Sequence, residues 1–137
     1  MPERSELQTI GAVAGGGVIG ATGRWAIAER LLADLPDGFP WAIFAVNVAG
    51  CLLIGLVSSR VERGSLRWAF VATGILGGFT TMSAFAVELN RLATDESNRI
   101  AIEYAIATLV VGFVALALGE ALRGPIDDDT IGPEGIE

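Results

Sequence analysis

Two clusters of polar side chains sit where a chain of this kind should tolerate few. Asn47 is the one strongly polar side chain in the uncharged run Gly38–Ser59, within FAVNVAG. In the run Trp68–Val87 the order is Gly77-Gly78-Phe79-Thr80-Thr81-Met82-Ser83-Ala84-Phe85, followed by Glu88. A carboxamide offers two N–H donors to an anion, or it serves as glue between helices. Adjacent glycines weaken a helix by roughly 1 kcal/mol each relative to alanine, and Thr80, Thr81 and Ser83 can draw backbone partners to their hydroxyls. A break there would free carbonyl oxygens able to hold a cation such as sodium; a mild kink satisfied by the hydroxyls is the alternative. Met82, Phe85 and Glu88 follow at intervals of three and share a helix face. A phenylalanine ring has a positive edge that attracts a small anion without trapping it. Tyr104 and Thr108 are four apart, so their hydroxyls stack on one face, and Gly112 continues that stripe without a hydroxyl. Arg24, at the end of GGGVIGATG, either snorkels to the headgroups or draws anions to the mouth of an aqueous vestibule.

Other chemistries are poorly supplied. There is no histidine, and the single Cys51 can form no internal disulfide, which leaves transition-metal binding and histidine acid–base catalysis without their usual groups. No nucleophile–base pair can be assembled, so an enzyme is the least expected reading. The formal net charge is −7, all nine bases are arginine, and no nucleic-acid partner is expected. An acidic composition free of lysine and histidine points to a salt-loving or GC-rich microbe.

The elements that must position these residues follow from the charge pattern. Uncharged runs cover Leu7–Gly23 (17 residues), Gly38–Ser59 (22), Trp68–Val87 (20) and Tyr104–Gly119 (16). Roughly 20 helical residues cross a hydrocarbon core of about 30 Å, so the runs predict an all-α membrane protein of four transmembrane helices. The start MPERSE lacks the basic region of a cleaved leader, so the first run is expected to be retained. A polar N-terminal segment at 1–8, a membrane domain at 9–123 and an acidic, solvated tail at 124–137 complete the expected organisation. Five arginines fall on one side of the four spans (Arg4, Arg60, Arg63, Arg67, Arg123) and four on the other (Arg24, Arg30, Arg91, Arg99). So small a bias lets a chain insert both ways, and inverted copies can then pair. Small residues four apart, such as Gly16 with Gly20 and Gly74 with Gly78, favour close helix packing and an oligomer.

Three stretches together carry a resemblance. GGVIGATGR (Gly16–Arg24), AVNVAGCLLIG (Ala45–Gly55) and GILGGFTTMSAFAVE (Gly74–Glu88) are similar to the signatures of the Fluc (CrcB) fluoride channels, over about Gly11 to Arg123. The resemblance implies a dual-topology, antiparallel dimer in the cell membrane that exports fluoride passively through two pores. It also implies a structural, non-transported sodium ion held by backbone carbonyls of Gly77 and Thr80, where the third helix is broken mid-membrane. Asn47, Met82, Ser83, Phe85, Tyr104 and Thr108 would line the anion pathway, with Arg24 and Glu88 in the vestibule. Met82 stands where the family carries the first pore phenylalanine, and Ala84 where it carries a threonine. These departures imply a weaker conductor, or one half of a heterodimer with a paralogous subunit that supplies the missing groups.

Two other readings compete. A dual-topology, proton-coupled exporter of cations or drugs needs a membrane-embedded carboxylate, which the first run lacks. A non-transporting structural subunit would use the same polar residues only for packing.

Overall fold

A computed structural model describes residues 4–30, 38–95 and 98–122, and the described residues are helical with no strand. The tail expected at 124–137 and Arg123 lie outside the described residues.

Helix α1 spans Arg4–Arg30, so residues 4–8 of the expected polar segment are its first turns. Glu6 stands in the first turn, where its charge complements the helix dipole. Helix α2, Trp41–Ser58, follows Pro40, which cannot donate a backbone bond and suits a helix entrance. Its C-terminal carbonyls are covered by side chains: Ser58 Oγ donates to Gly55 O and Ser59 Oγ to Leu56 O, both at 2.9 Å, and Arg60 Nη1 reaches Leu56 O at 3.3 Å.

Helix α3 is compound. It starts at Leu66–Trp68, where Ser65 caps by accepting the Trp68 N–H at 3.1 Å after a turn that needs Gly64 at φ +86°. It widens to π-helical geometry over Ala69–Leu76 and closes with Gly77–Phe79. Thr80 (ψ 156°) and Thr81 (φ −149°, ψ 114°) are extended, and α4 begins at Met82 and runs to Thr94. Helix α5 spans Asn98–Ala121.

Three helical stretches are long and apolar enough to cross a membrane: Trp41–Ser58, Leu66–Thr94 and Asn98–Ala121. Helix α1, at 27 residues, reaches about 40 Å, long enough to span. It is less apolar because glycines at 11, 15, 16, 17, 20 and 23 occupy places that larger side chains would fill. Two of them, Gly16 and Gly20, serve close packing. α1 lies against α3, and α2 against α5. A Cβ on Gly20 would run into Ile75 O and lie 2.8 Å from Phe79 N; one on Gly78 would lie 2.6 Å from Gly17 O. On the other pair, a Cβ on Gly55 would strike Leu116 O and one on Gly119 would strike Leu52 O. Glycine lets the backbones touch at both crossings.

The core is small. Val46 and Tyr104 are the largest fully buried side chains, and Phe85, Leu92, Ala101 and Tyr104 form the buried cluster between α4 and α5. Large apolar side chains such as Val18, Ile19, Leu109, Phe113 and Val114 remain exposed on α1 and α5, as a lipid environment requires.

Candidate functional site

The α1–α3 and α2–α5 pairs meet less closely than the helices within each pair, and a groove of about 360 Å³ opens between α2 and α3. Asn47, Gly50, Cys51 and Ile54 line one wall; their spacing of three, four and seven marks a single face of α2. The other wall comes from Ala72, Leu76, Gly77, Thr80, Thr81 and Met82, at the junction of α3 and α4.

At that junction the polar groups are engaged with backbone. Thr80 N–H and its hydroxyl both donate to Leu76 O, at 3.0 and 2.9 Å. Thr81 Oγ1 accepts the Ala84 N–H at 3.1 Å, capping α4, and lies 3.2 Å from Ser83 Oγ. Asn47 binds Thr81 twice: its Oδ1 accepts the Thr81 N–H at 2.9 Å, and its Nδ2 donates to Thr81 O at 3.2 Å. One of the two Asn47 N–H donors counted from sequence is thus spent on backbone, leaving one. The sequence marks Thr81 as a hydroxyl able to draw backbone partners but assigns it no pathway or cation role. Its cap position three before Ala84 was the available signal.

Sequence spacing placed Met82 and Phe85 on one face, but the structure gives them different surroundings. Met82 is 76% exposed at the groove, whereas Phe85 is buried with its ring 5.1 Å from that of Tyr104. Tyr104 is fully buried, and the aromatic contact extends to Phe39, whose ring meets Tyr104 edge-on at 5.4 Å. Phe39 carried no motif and was not singled out from sequence. Tyr104 Oη and Thr108 Oγ1 are buried with no hydrogen-bond partner among the described residues, and so is Arg24 Nε. Buried polar groups ordinarily find partners, so these three are exceptions within the single chain. Glu88 pairs with Arg91 at 2.9 Å, and Glu103 with Arg99 at 2.8 Å. The structure therefore gathers Asn47, Gly77, Thr80 and Met82 at one groove. Ser83 adjoins it through Thr81; Phe85 and Tyr104 pack behind it at the α4–α5 contact; Arg24, Glu88 and Thr108 do not line it.

Comparison with known proteins identifies the family. The family described as CrcB-like protein, Camphor Resistance (CrcB), matches residues 11–120. The chain belongs to the CrcB family. It is similar to a protein of Prosthecochloris aestuarii named fluoride-specific ion channel FluC, 42% identical over 127 residues, covering 89% of this chain and 96% of that one. A FluC of Chlorobium phaeobacteroides is 39% identical over 128 residues with the same coverage. FluC 2 of Streptomyces avermitilis is 40% identical over 108 residues, 76% of this chain and 68% of the relative. The matched CrcB segment contains the α2–α3 groove, the Thr80–Thr81 junction and both glycine crossings.

Proposed function

We propose that this chain forms a passive, selective fluoride channel that lets cytoplasmic fluoride leave across the cell membrane and so limits its toxicity. What carries the reading is a coincidence of position. The stretch Gly74–Glu88, which resembles the signature of the fluoride channels, also contains Thr80 and Thr81, the extended residues beside the groove. Fluoride sheds its water reluctantly, so a route for it needs several modest donors in place of one strong trap, because binding that is too tight stops conduction. The remaining Asn47 N–H, Ser83 and the hydroxyls of Tyr104 and Thr108 are donors of that strength. Phe85 offers a ring edge, Met82 stands at the groove, and Arg24 and Glu88 set the charge of the vestibules.

The channel would consist of four spans per chain, with α1 as the first, assembled as an antiparallel, dual-topology dimer. One chain alone leaves the groove open on α2 and α3 and much apolar surface uncovered. The relatives named FluC 1 and FluC 2 make a heterodimer with a paralogous subunit a reasonable alternative to a homodimer.

The residues at the junction fit a structural sodium ion. Among the described residues no cluster of His, Cys, Asp or Glu could hold a metal, so the oxygens on offer are neutral carbonyls and hydroxyls, which suit a hard monovalent cation. The Thr80 carbonyl lacks its usual helical donor, because the Ala84 N–H is turned to Thr81 Oγ1. Gly77 and Thr80 are the carbonyls that would hold the ion. When bound, it would supply fixed positive charge at the interrupted backbone.

The exporter reading is disfavoured by the carboxylates: Glu88 and Glu103 are each held by an arginine, and the uncharged run of α1 contains no acid. Purified protein in liposomes is expected to release fluoride, read by a fluoride electrode, and scarcely any chloride. Proton-driven uptake of an organic cation would support the exporter instead, and absence of both fluxes a structural subunit.

A further inference from the structure

We propose that Asn47 is a positioning residue that keeps the α3–α4 junction open by taking the backbone of Thr81 away from the helix. In an unbroken helix the N–H of residue 81 would donate to the carbonyl of Gly77. Here it donates to Asn47 Oδ1 at 2.9 Å, while Asn47 Nδ2 returns a bond to Thr81 O at 3.2 Å. The carboxamide thus imitates a neighbouring strand: it offers one acceptor and one donor to the two backbone groups of a single extended residue (φ −149°, ψ 114°). Thr81 is buried, so its N–H and carbonyl could not be left without partners, and no other side chain of α2 on this face has both groups to give.

The consequence falls on Gly77, which lines the groove and is deprived of its helical donor. The Thr81 hydroxyl does the same to Thr80 by accepting the Ala84 N–H. Two side chains, one from α2 and one from the junction itself, therefore intercept the donors of the two carbonyls assigned to the cation. A carboxamide engaged on both sides is also held in one orientation, with its second N–H fixed in direction beside the groove. The interception stands on the hydrogen bonds alone; its service to a cation rests on the proposed function.

Thr80–Thr81 is the one Thr-Thr pair in the chain, so carbonyl- and nitrogen-labelled threonine identifies the Thr81 amide directly in nuclear magnetic resonance spectra of the full protein in lipid. In the unmodified protein, contact between the Thr81 amide proton and the Asn47 side-chain amide is expected; its absence would overturn the proposal. In Asn47→Ala the carbon shifts of Thr80 and Thr81 should lose their extended values, and the sodium concentration giving half-maximal thermal stabilisation should rise at least about tenfold. Asn47→Asp, which keeps an oxygen for the Thr81 N–H, should retain the extended shifts. If Asn47→Ala keeps extended shifts and an unchanged sodium response while losing fluoride flux, Asn47 acts on the anion alone and the proposal fails. If the unmodified protein passes no fluoride, the channel reading fails, yet the spectra still decide whether the clamp exists.

Discussion

At the scale of single residues, the informative side chains are those whose polar atoms have no protein partner. Tyr104 is fully buried, its ring is packed against Phe85 and Phe39, and its hydroxyl has no partner among the described residues. Leaving a buried hydroxyl unpaired costs about 1–3 kcal/mol, so Tyr104→Phe should hold or raise the thermal unfolding midpoint. If that hydroxyl serves fluoride, the same variant should lower fluoride efflux severalfold, and this split between stability and flux distinguishes a pathway group from a packing group. Met82 invites the opposite change. It is 76% exposed at the groove, where a larger ring meets no buried neighbour, so Met82→Phe should fold normally and raise efflux by supplying the missing ring edge. The polar identity of this site was largely legible in the sequence, since Asn47, Thr80, Thr81 and Ser83 stand out against apolar surroundings. Their connections were not: the double bond between Asn47 and Thr81 spans 34 positions in the chain and depends on how α2 lies against α3.

At the scale of elements, glycine spacing decides which helices pair. Gly16 on α1 meets Gly74 on α3, Gly20 meets the backbone of Ile75 and Phe79, Gly78 meets that of Gly17 and Ala21, and Gly55 on α2 meets Gly119 on α5. In both crossings an added methyl group would meet backbone, which cannot swing aside. Gly20→Ala should therefore cost about 1–3 kcal/mol, whereas Gly11→Ala, which has nothing within 4 Å, should be neutral or slightly stabilising. Unfolding midpoints of the two variants in detergent check this contrast. The junction carries its own local device. Thr81→Ala removes the cap on Ala84, and a loss of about 1 kcal/mol is expected, together with faster amide exchange in the first turn of α4. The i, i+4 spacing is visible at Gly16 with Gly20 and at Gly74 with Gly78, but it also occurs at Gly11 and Gly15, which make no close backbone approach. Spacing alone does not say which glycines are used.

At the scale of the whole molecule, one chain buries little. Its cluster is confined to α4 and α5, its groove is open, and large apolar side chains cover the outer faces of α1 and α5. The arginine balance of five to four predicts insertion in both orientations. A single cysteine at exposed Glu62, in a Cys51→Ala background, should react with a membrane-impermeant reagent in about half of the molecules in intact cells if the insertion bias is negligible. Complete or absent reaction would show one fixed orientation and remove the antiparallel homodimer, leaving only pairing with an oppositely inserted paralogue.

The sequence by itself determined the solvent of this protein and the places where its helices are weak. Long uncharged runs and glycine, threonine and serine side chains act locally, through burial free energy and backbone propensity, and need no knowledge of neighbours. Only the tertiary structure decided that Asn47 grips the backbone of Thr81, that Phe85 turns inward while Met82 faces the groove, and which glycines touch. Those outcomes depend on the relative placement of α2, α3 and α5, and contacts between segments distant in sequence carry no local signal.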